Sequence, residues 1–224
     1  MLHGLVITIL TGRRLPLLQD TVAGMTRCDP NILRRAHVIA YLNGKDPKTK
    51  SWLSGQKWID NLIYRSTDKP EPIGNAVSRL AALVTEVPQA RYTLHLEDDW
   101  RCVAPHGGFL LDAEAILKTN PRIGQVRMRS VYETVLGHHM ITGRKAPWRQ
   151  ATVAGVKCKV AGLHYTFNPA LVRVEDLDKI YPANHENVAA KKYMRHFPLV
   201  AQLVPGAFRH TGDNKSLRAK LGRH

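Results

Sequence analysis

The chain has 224 residues, 44% of them hydrophobic, which suits one globular domain with its own core and excludes a disordered or fibrous protein. Its 33 lysines and arginines against 18 acids give a net charge of +15, pointing to a polyanionic partner, with a basic surface that only aids solubility as the ordinary alternative. The excess is uneven, with thirteen basic to ten acidic side chains in residues 1–100 and twenty to eight in 101–224. Cys28, Cys102 and Cys158 lie far apart in no CxxC pattern, so reduced structural thiols are expected rather than a disulfide framework or a zinc knuckle.

Leu5 to Leu10 is β-rich and runs into Thr11-Gly12-Arg13-Arg14, the pattern of a buried strand ending in a loop. This apolar run is too short to span a bilayer and no signal-like cleavage site follows it, so a soluble, cytoplasmic protein without a transmembrane segment is expected. Leu18, Val22 and Met25 predict a helix over Leu15 to Met25, with Pro16 tolerated in its first turn. His37 to Leu42 is a second strand, stopped by the turn signal Asn43-Gly44. A short helix over Lys48 to Gln56 and a strand over Asn61 to Tyr64 follow. After Pro70-Glu71-Pro72, the spacing of Ala76, Leu80 and Leu83 predicts a helix from Gly74 to Val84. Tyr92 to Leu96 is the fourth strand, with Glu97-Asp98-Asp99-Trp100 at its carboxyl end.

This alternation predicts an α/β open sheet, largely parallel, flanked by helices. Ligands of such sheets bind beyond the strand C-termini, where Thr11 to Arg14, Asn43 to Asp46 and Glu97 to Trp100 all fall. The second half is less regular. It offers a helix over Phe109 to Lys118, a strand over Gly124 to Arg129, a basic loop over Gly143 to Gln150 and a strand over Lys159 to Phe167. A helix over Glu186 to Phe197 and a basic tail from Arg209 to His224 complete it. No repeat or low-complexity linker divides the chain, so residues 1–224 are expected to form one domain.

Two carboxylates and a third just before them, placed at the end of an apolar strand, concentrate negative charge where the backbone is rigid. Such oxygen ligands suit Mg²⁺ or Mn²⁺, which shares its shell with water and substrate phosphates. Strand alternation would send Asp98 and Asp99 to opposite faces if the strand continued through them. An acidic turn or helix cap is the ordinary alternative for an isolated Glu-Asp-Asp.

The order strand-Thr-Gly-Arg-Arg, strand-Asn-Gly-Lys-Asp, Pro-Ile-Gly-Asn-Ala-Val-Ser and Leu-Glu-Asp-Asp-Trp resembles the nucleotide-binding half of GT-A glycosyltransferases, nearest to family 2. The resemblance covers roughly the first half of the chain. It implies a Rossmann-like nucleotide-diphospho-sugar transferase fold with an open mixed sheet, residues 1–100 serving the nucleotide-sugar and 101–224 the acceptor. Glu97-Asp98-Asp99 is a variant of the fold's Asp-x-Asp signature, so Asp99 takes the role of metal ligand, Asp98 stands beside it as a catalytic residue, and Glu97 meets the donor. Thr11, Gly12 and Arg13 would lie beside nucleoside and diphosphate, where Gly allows close backbone approach and Arg offers planar donors. Asn43, Gly44 and Asp46 would meet uracil or ribose, and Gly74, Asn75 and Ser78 would close over the donor. A plain tight turn also explains Asn43-Gly44, and an ordinary helix start explains Gly74 to Ser78.

Gly206-Ala207-Phe208-Arg209-His210-Thr211-Gly212 resembles the segment by which several GT-A enzymes return a histidine to the cation, which makes His210 the second metal ligand and favours Mn²⁺. Glu186 resembles the acceptor-side carboxylate of family 2 and is the expected general base of an inverting transfer, with Asp213 and Glu133 as substitutes and a helix-dipole role as its alternative. Arg127, Arg129, Arg144, Lys145 and Arg149, with the aromatic Trp148, are the expected contacts to nucleic acid; Trp100, Tyr132, Tyr165 and Phe167 are aromatic neighbours for which core packing is the ordinary role. Bacteriophage enzymes of this kind glycosylate hydroxymethylated pyrimidines in DNA, and the cationic second half matches that acceptor. The alternatives are a transferase acting on polysaccharide, lipid-linked sugar or protein, and a non-catalytic nucleic-acid-binding module. The residues distinguish neither the sugar nor the oligomeric state.

Overall fold

The structure, a computed structural model, describes residues 2–130, 148–162, 165–167 and 169–211. In chain order the elements are β1 (Leu5–Thr11), α1 (Leu15–Cys28), α2 (Ile32–Arg35), β2 (His37–Leu42), α3 (Pro47–Ser54), β3 (Asn61–Tyr64), α4 (Ile73–Thr85), β4 (Tyr92–Glu97) and β5 (Trp100–Cys102). They continue with α5 (Phe109–Thr119), β6 (Ile123–Arg127), β7 (Arg149–Val153), β8 (Val156–Ala161), β9 (Ala170–Arg173), α6 (Leu177–Ile180), α7 (Glu186–His196), β10 (Leu199–Leu203) and β11 (Phe208–His210).

Nine strands form one sheet in the order β3-β2-β1-β4-β9-β6-β10-β8-β7, and β11 pairs with β5 in a separate ribbon. The first four are parallel, as the alternation of apolar strands and helices predicts. β9 runs antiparallel to both β4 and β6, so β6 and its parallel partner β10 point the same way as β4. The carboxyl ends of β1, β4, β6 and β10 therefore share one edge. All seven residues of β1 are buried, because one face packs with α1 and α5 in a cluster around Ile7, Ile9, Leu94 and Leu96, and the other packs Val6 and Leu10 against α4 and α7.

The first half follows the sequence pattern closely. The second half departs from it. Residues Lys159 to Phe167, expected as one strand, belong only in part to β8; the element is an antiparallel hairpin of β7 and β8, turned by Ala154 and Gly155 at φ 53° and 78°. Arg149 and Gln150, expected in a loop, open β7. Elements β5, β9, β10, β11, α2 and α6 were not anticipated; the sheet is open and mixed and flanked by helices, as the resemblance implies.

The segment between β10 and β11 is tightly stitched. Ala207 N and Phe208 N both donate to the Met128 carbonyl at 2.7 and 2.9 Å, Ser130 N donates to Phe208 O at 2.6 Å, and Val103 N donates to Ala207 O at 2.8 Å. A side chain on Gly206 would overlap the Arg129 carbonyl. Gly206→Ala is expected to lower stability by about 1–3 kcal/mol through overpacking against backbone, a fall of roughly 3–10 °C in the melting temperature of a chain this size. Thermal unfolding followed by circular dichroism checks this, and an unchanged midpoint would show that the segment yields freely.

Candidate active site

Strand β4 ends at Glu97, and a turn carries Asp98 and Asp99 before β5 begins. Because the strand stops there, the two aspartates do not diverge as alternation would require; both turn to Arg14, at the start of α1. Arg14 Nη1 donates to Asp99 Oδ2 at 2.8 Å and Nη2 to Asp98 Oδ1. Asp98 is fully buried, and its Oδ2 also accepts from Thr11 Oγ1 at 2.9 Å and Gly12 N at 3.0 Å. Burial pushes the Asp98 carboxyl above its ordinary range, with Arg14 and these two donors acting against it. Burial likewise opposes the Arg14 charge, but the two carboxylates outweigh it and hold Arg14 above its ordinary value.

Asp99 is 5% exposed. Its carbonyl accepts from Thr211 N at 2.8 Å, and its Oδ2 lies 3.3 Å from His210 Nε2. The β5–β11 register sets His210 directly opposite Trp100, with ring centroids 4.9 Å apart. Against the cost of burial, His210 and Arg14 together hold the Asp99 carboxyl below its ordinary value. Oδ1 of Asp99 is buried without a hydrogen-bond partner, a vacant lone-pair acceptor beside an imidazole. That donor set fits Mn²⁺ or Mg²⁺ sharing its shell with phosphate oxygens. It does not fit an all-protein cage: no group of three or more metal-ligating side chains occurs among the described residues.

Solved structures share this architecture. A structure of S. aureus TarS residues 1–349 superposes with a TM-score of 0.59 at 11% identity, covering 93% of this chain and 60% of that one. TarS 1–349 in complex with UDP-GlcNAc gives 0.58 at 12% identity, covering 92% and 58%. The mannosyltransferase PcManGT from Pyrobaculum calidifontis, in complex with GDP-Man and Mn²⁺, gives 0.59 at 12%, covering 97% and 59%. The fold is GT-A. The chain spans about 60% of the length of these solved chains, and 36% of a longer TarS structure. No family model and no curated protein sequence matches it.

On this GT-A frame the expected donor-side residues are placed as follows. Thr11 and Gly12 reach Asp98 directly. Arg13 turns outward to the Asp68 carbonyl, and its neighbour Arg14, which the sequence reading left unassigned, is the arginine that grips the acids. Asn43 is buried and clips the loop to Glu71, accepting from Glu71 N at 2.9 Å and donating to Glu71 O at 3.0 Å. Asp46 caps α3, accepting from Lys48 N, Thr49 N and Thr49 Oγ1, so its carboxylate is committed to the helix. Gly74 and Ser78 dock α4 on the segment before α7: a Cβ at Gly74 would overlap the Asn184 backbone, and Ser78 Oγ exchanges hydrogen bonds with Ala183 N and O. Asn75 lines an open hollow of ≈720 Å³ with Glu71, Arg79, Asn184 and Lys192.

On the other side, Glu186 is the first residue of α7, and its Oε1 accepts from Phe167 N at 2.7 Å. Arg127, expected to contact nucleic acid, is 3% exposed with its Cζ 5.7 Å from the Trp148 ring centroid, so it is buried and not part of the exposed cationic surface. Arg129 is half-buried with Cζ 5.4 Å from the Trp100 ring. Arg149 is exposed on β7; Tyr165 and Phe167 are core residues. Tyr132, Glu133, Arg144, Lys145 and Asp213 lie outside the described residues.

Glu97 sits half-buried behind the aspartates. Burial, then Asp99, Asp98 and Glu186, raises its pKa to about 8. A carboxyl that ionises near pH 4.3 in the unfolded chain thus keeps its proton longer when folded, so stability declines as pH rises from that value toward about 8. Glu97→Gln is expected to shrink the difference between urea midpoints measured at pH 5 and pH 8; an identical pH dependence would show that Glu97 is ionised throughout.

Proposed function

We propose that the protein is a glycosyltransferase that moves a sugar from a nucleotide-sugar, a UDP-sugar by the sequence resemblance, to a hydroxyl acceptor with the help of Mn²⁺. The observation that carries this reading is the Asp99 carboxylate at the strand edge, with His210 Nε2 at 3.3 Å from one oxygen and the other oxygen buried and unpartnered. UDP-GlcNAc and UDP in the TarS complexes, and GDP-Man with Mn²⁺ in PcManGT, support a donor and cation of this class. A bound cation would neutralise charge developing on the departing diphosphate. In this reading Asp99 and His210 hold it, Asp98 fixes the Thr11-Gly12 backbone and Arg14, and Glu186 takes the proton from the acceptor hydroxyl in an inverting transfer.

The proposed acceptor is a 5-hydroxymethylpyrimidine in DNA, as in the bacteriophage enzymes that the sequence resembles. The net charge of +15, concentrated in residues 101–224, supports it. A duplex base would be rotated out of the stack to present its hydroxyl. A second reading has one observation in its favour: Arg14 already neutralises Asp98 and Asp99, so a cation-independent transfer in which Arg14 meets the diphosphate is the competing mechanism.

Incubation with a panel of nucleotide sugars, Mn²⁺ and hydroxymethylated DNA, followed by mass analysis of the nucleosides, tests donor and acceptor together; a hexose or pentose increment is expected. Asp99→Asn should abolish both transfer and Mn²⁺ binding read by electron paramagnetic resonance, and activity that survives chelation would favour Arg14. Glu186→Gln should lower kcat by about 10²–10⁴-fold while leaving donor binding near wild type. An unaltered kcat removes Glu186 from the reaction.

A further inference from the structure

The strand register builds a polar row across the far half of the sheet. Arg127 on β6 is directly opposite Gln202 on β10, Gln202 is opposite Lys159 on β8, and Lys159 is opposite Gln150 on β7. Directly opposed residues point to the same face, and neighbouring strands lie about 4.8 Å apart, so the row is about 14 Å long. One step nearer the hairpin turn, Lys157 is opposite Thr152 on that face. The reverse face carries Ala151, Val153, Val156, Cys158 and Val160, which pack into the core. The hairpin is thus amphipathic by alternation, with one side fixed by packing and the other left polar.

Burial is graded along the row. Arg127 and Gln202 are buried, Lys159 is half-buried, and Gln150, Thr152 and Lys157 are exposed. Gln202 Nε2 donates to the Arg129 carbonyl, while its Oε1 is buried with no hydrogen-bond partner. Leaving such an acceptor unsatisfied is unfavourable, and it lies between Arg127 and Lys159. Neither Lys157 nor Lys159 has a carboxylate partner among the described residues, unlike Lys118 with Glu114 or Lys179 with Asp176. Two ammonium groups with an amide and a hydroxyl offer donors to phosphate oxygens. Among the described residues the exposed large hydrophobic side chains are Ile73, Val103 and Leu111; Val103 lines a hollow with Lys157, while Ile73 and Leu111 stand on α4 and α5.

We propose that the polar face of the β7–β8 hairpin, formed by Gln150, Thr152, Lys157 and Lys159, binds the phosphate backbone of a nucleic acid, whose path along the row leads toward Arg127 and Glu186. The direction of that path rests on the transferase reading above; the phosphate contact does not. Trp148, immediately before β7 and stacked near Arg127, stands where the path meets the site. The contacts position a strand and carry no base sequence.

The test compares duplex DNA binding by wild type, Lys157→Ala/Lys159→Ala, and a control of equal charge change, Arg34→Ala/Lys57→Ala, whose residues are exposed at the opposite half of the chain. Fluorescence anisotropy over a salt series is expected to show the hairpin variant losing about 1.8 from the slope of log K against log salt, at about 0.9 per phosphate. The control should keep the wild-type slope. Equal slopes for hairpin variant and wild type would overturn the proposal. So would loss of binding to phosphatidylserine vesicles with DNA binding retained, which would assign the face to a membrane. Donor hydrolysis measured on the same wild-type preparation separates the two readings: its absence sinks the transferase and leaves the salt slopes to decide the hairpin.

Discussion

The guanidinium of Arg14 between Asp98 and Asp99 is the contact on which the rest of the site depends. Two carboxylates, one fully buried and one nearly so, follow an apolar strand into a protein interior where neither would remain charged alone. Arg14 meets both, and Thr11 and Gly12 complete the shell of Asp98. A single ion cluster therefore joins the end of β1, the start of α1 and the turn after β4. It also fixes which oxygen is left over. With Asp99 Oδ2 shared between Arg14 and His210, Oδ1 is the one buried acceptor of the pair with nothing to accept from.

His210 arrives there by backbone rather than by side-chain attraction. Residues 206–208 are held between Met128 to Ser130 and Val103 by main-chain hydrogen bonds, and Thr211 N closes on the Asp99 carbonyl. The imidazole is thereby set opposite Trp100 at a fixed register. Glu186 is positioned in a comparable way: Gly74 lets α4 approach Asn184, Ser78 binds Ala183, and α7 starts from that anchored segment. The packing of α4 thus governs where the Glu186 carboxylate stands.

Much of this was legible in the first hundred residues and little of it afterwards, for physical reasons. Apolar strands buried on both faces, such as Leu5–Thr11, announce themselves through long Val, Ile and Leu runs. The strands of the second half are three to six residues long and owe their place to partners distant in sequence, as β9 does in sitting between β4 and β6. One signal was present and passed over: Leu199–Leu203 is an apolar run bounded by Pro198 and Pro205, a strand pattern. The sequence singles out Arg13 and leaves Arg14 without a role, because the start of α1 decides which of two adjacent arginines turns toward the acids, and residue type does not encode that. Asn43 and Asp46 were recognised as special, but both serve local backbone groups, the ordinary use of short polar side chains in turns and caps.

The antiparallel strand β9 lies between β4 and β6 and ties the late part of the chain to the sheet that carries the acids. Parallel neighbours need a crossover, and α5 supplies the one from β4 to β6. β9 reverses direction against both, and α6 and α7 then lead from β9 to β10, which runs parallel to β6 and so in the direction of β4. Their carboxyl ends then open on the same edge as Asp99, bringing Arg127 and Arg129 from one and the His210 segment from the other. The same reversal sets the cationic second half of the sequence beside the acidic end of the first. The direction of one four-residue strand thus bears on which side chains stand at the edge where Asp99 lies.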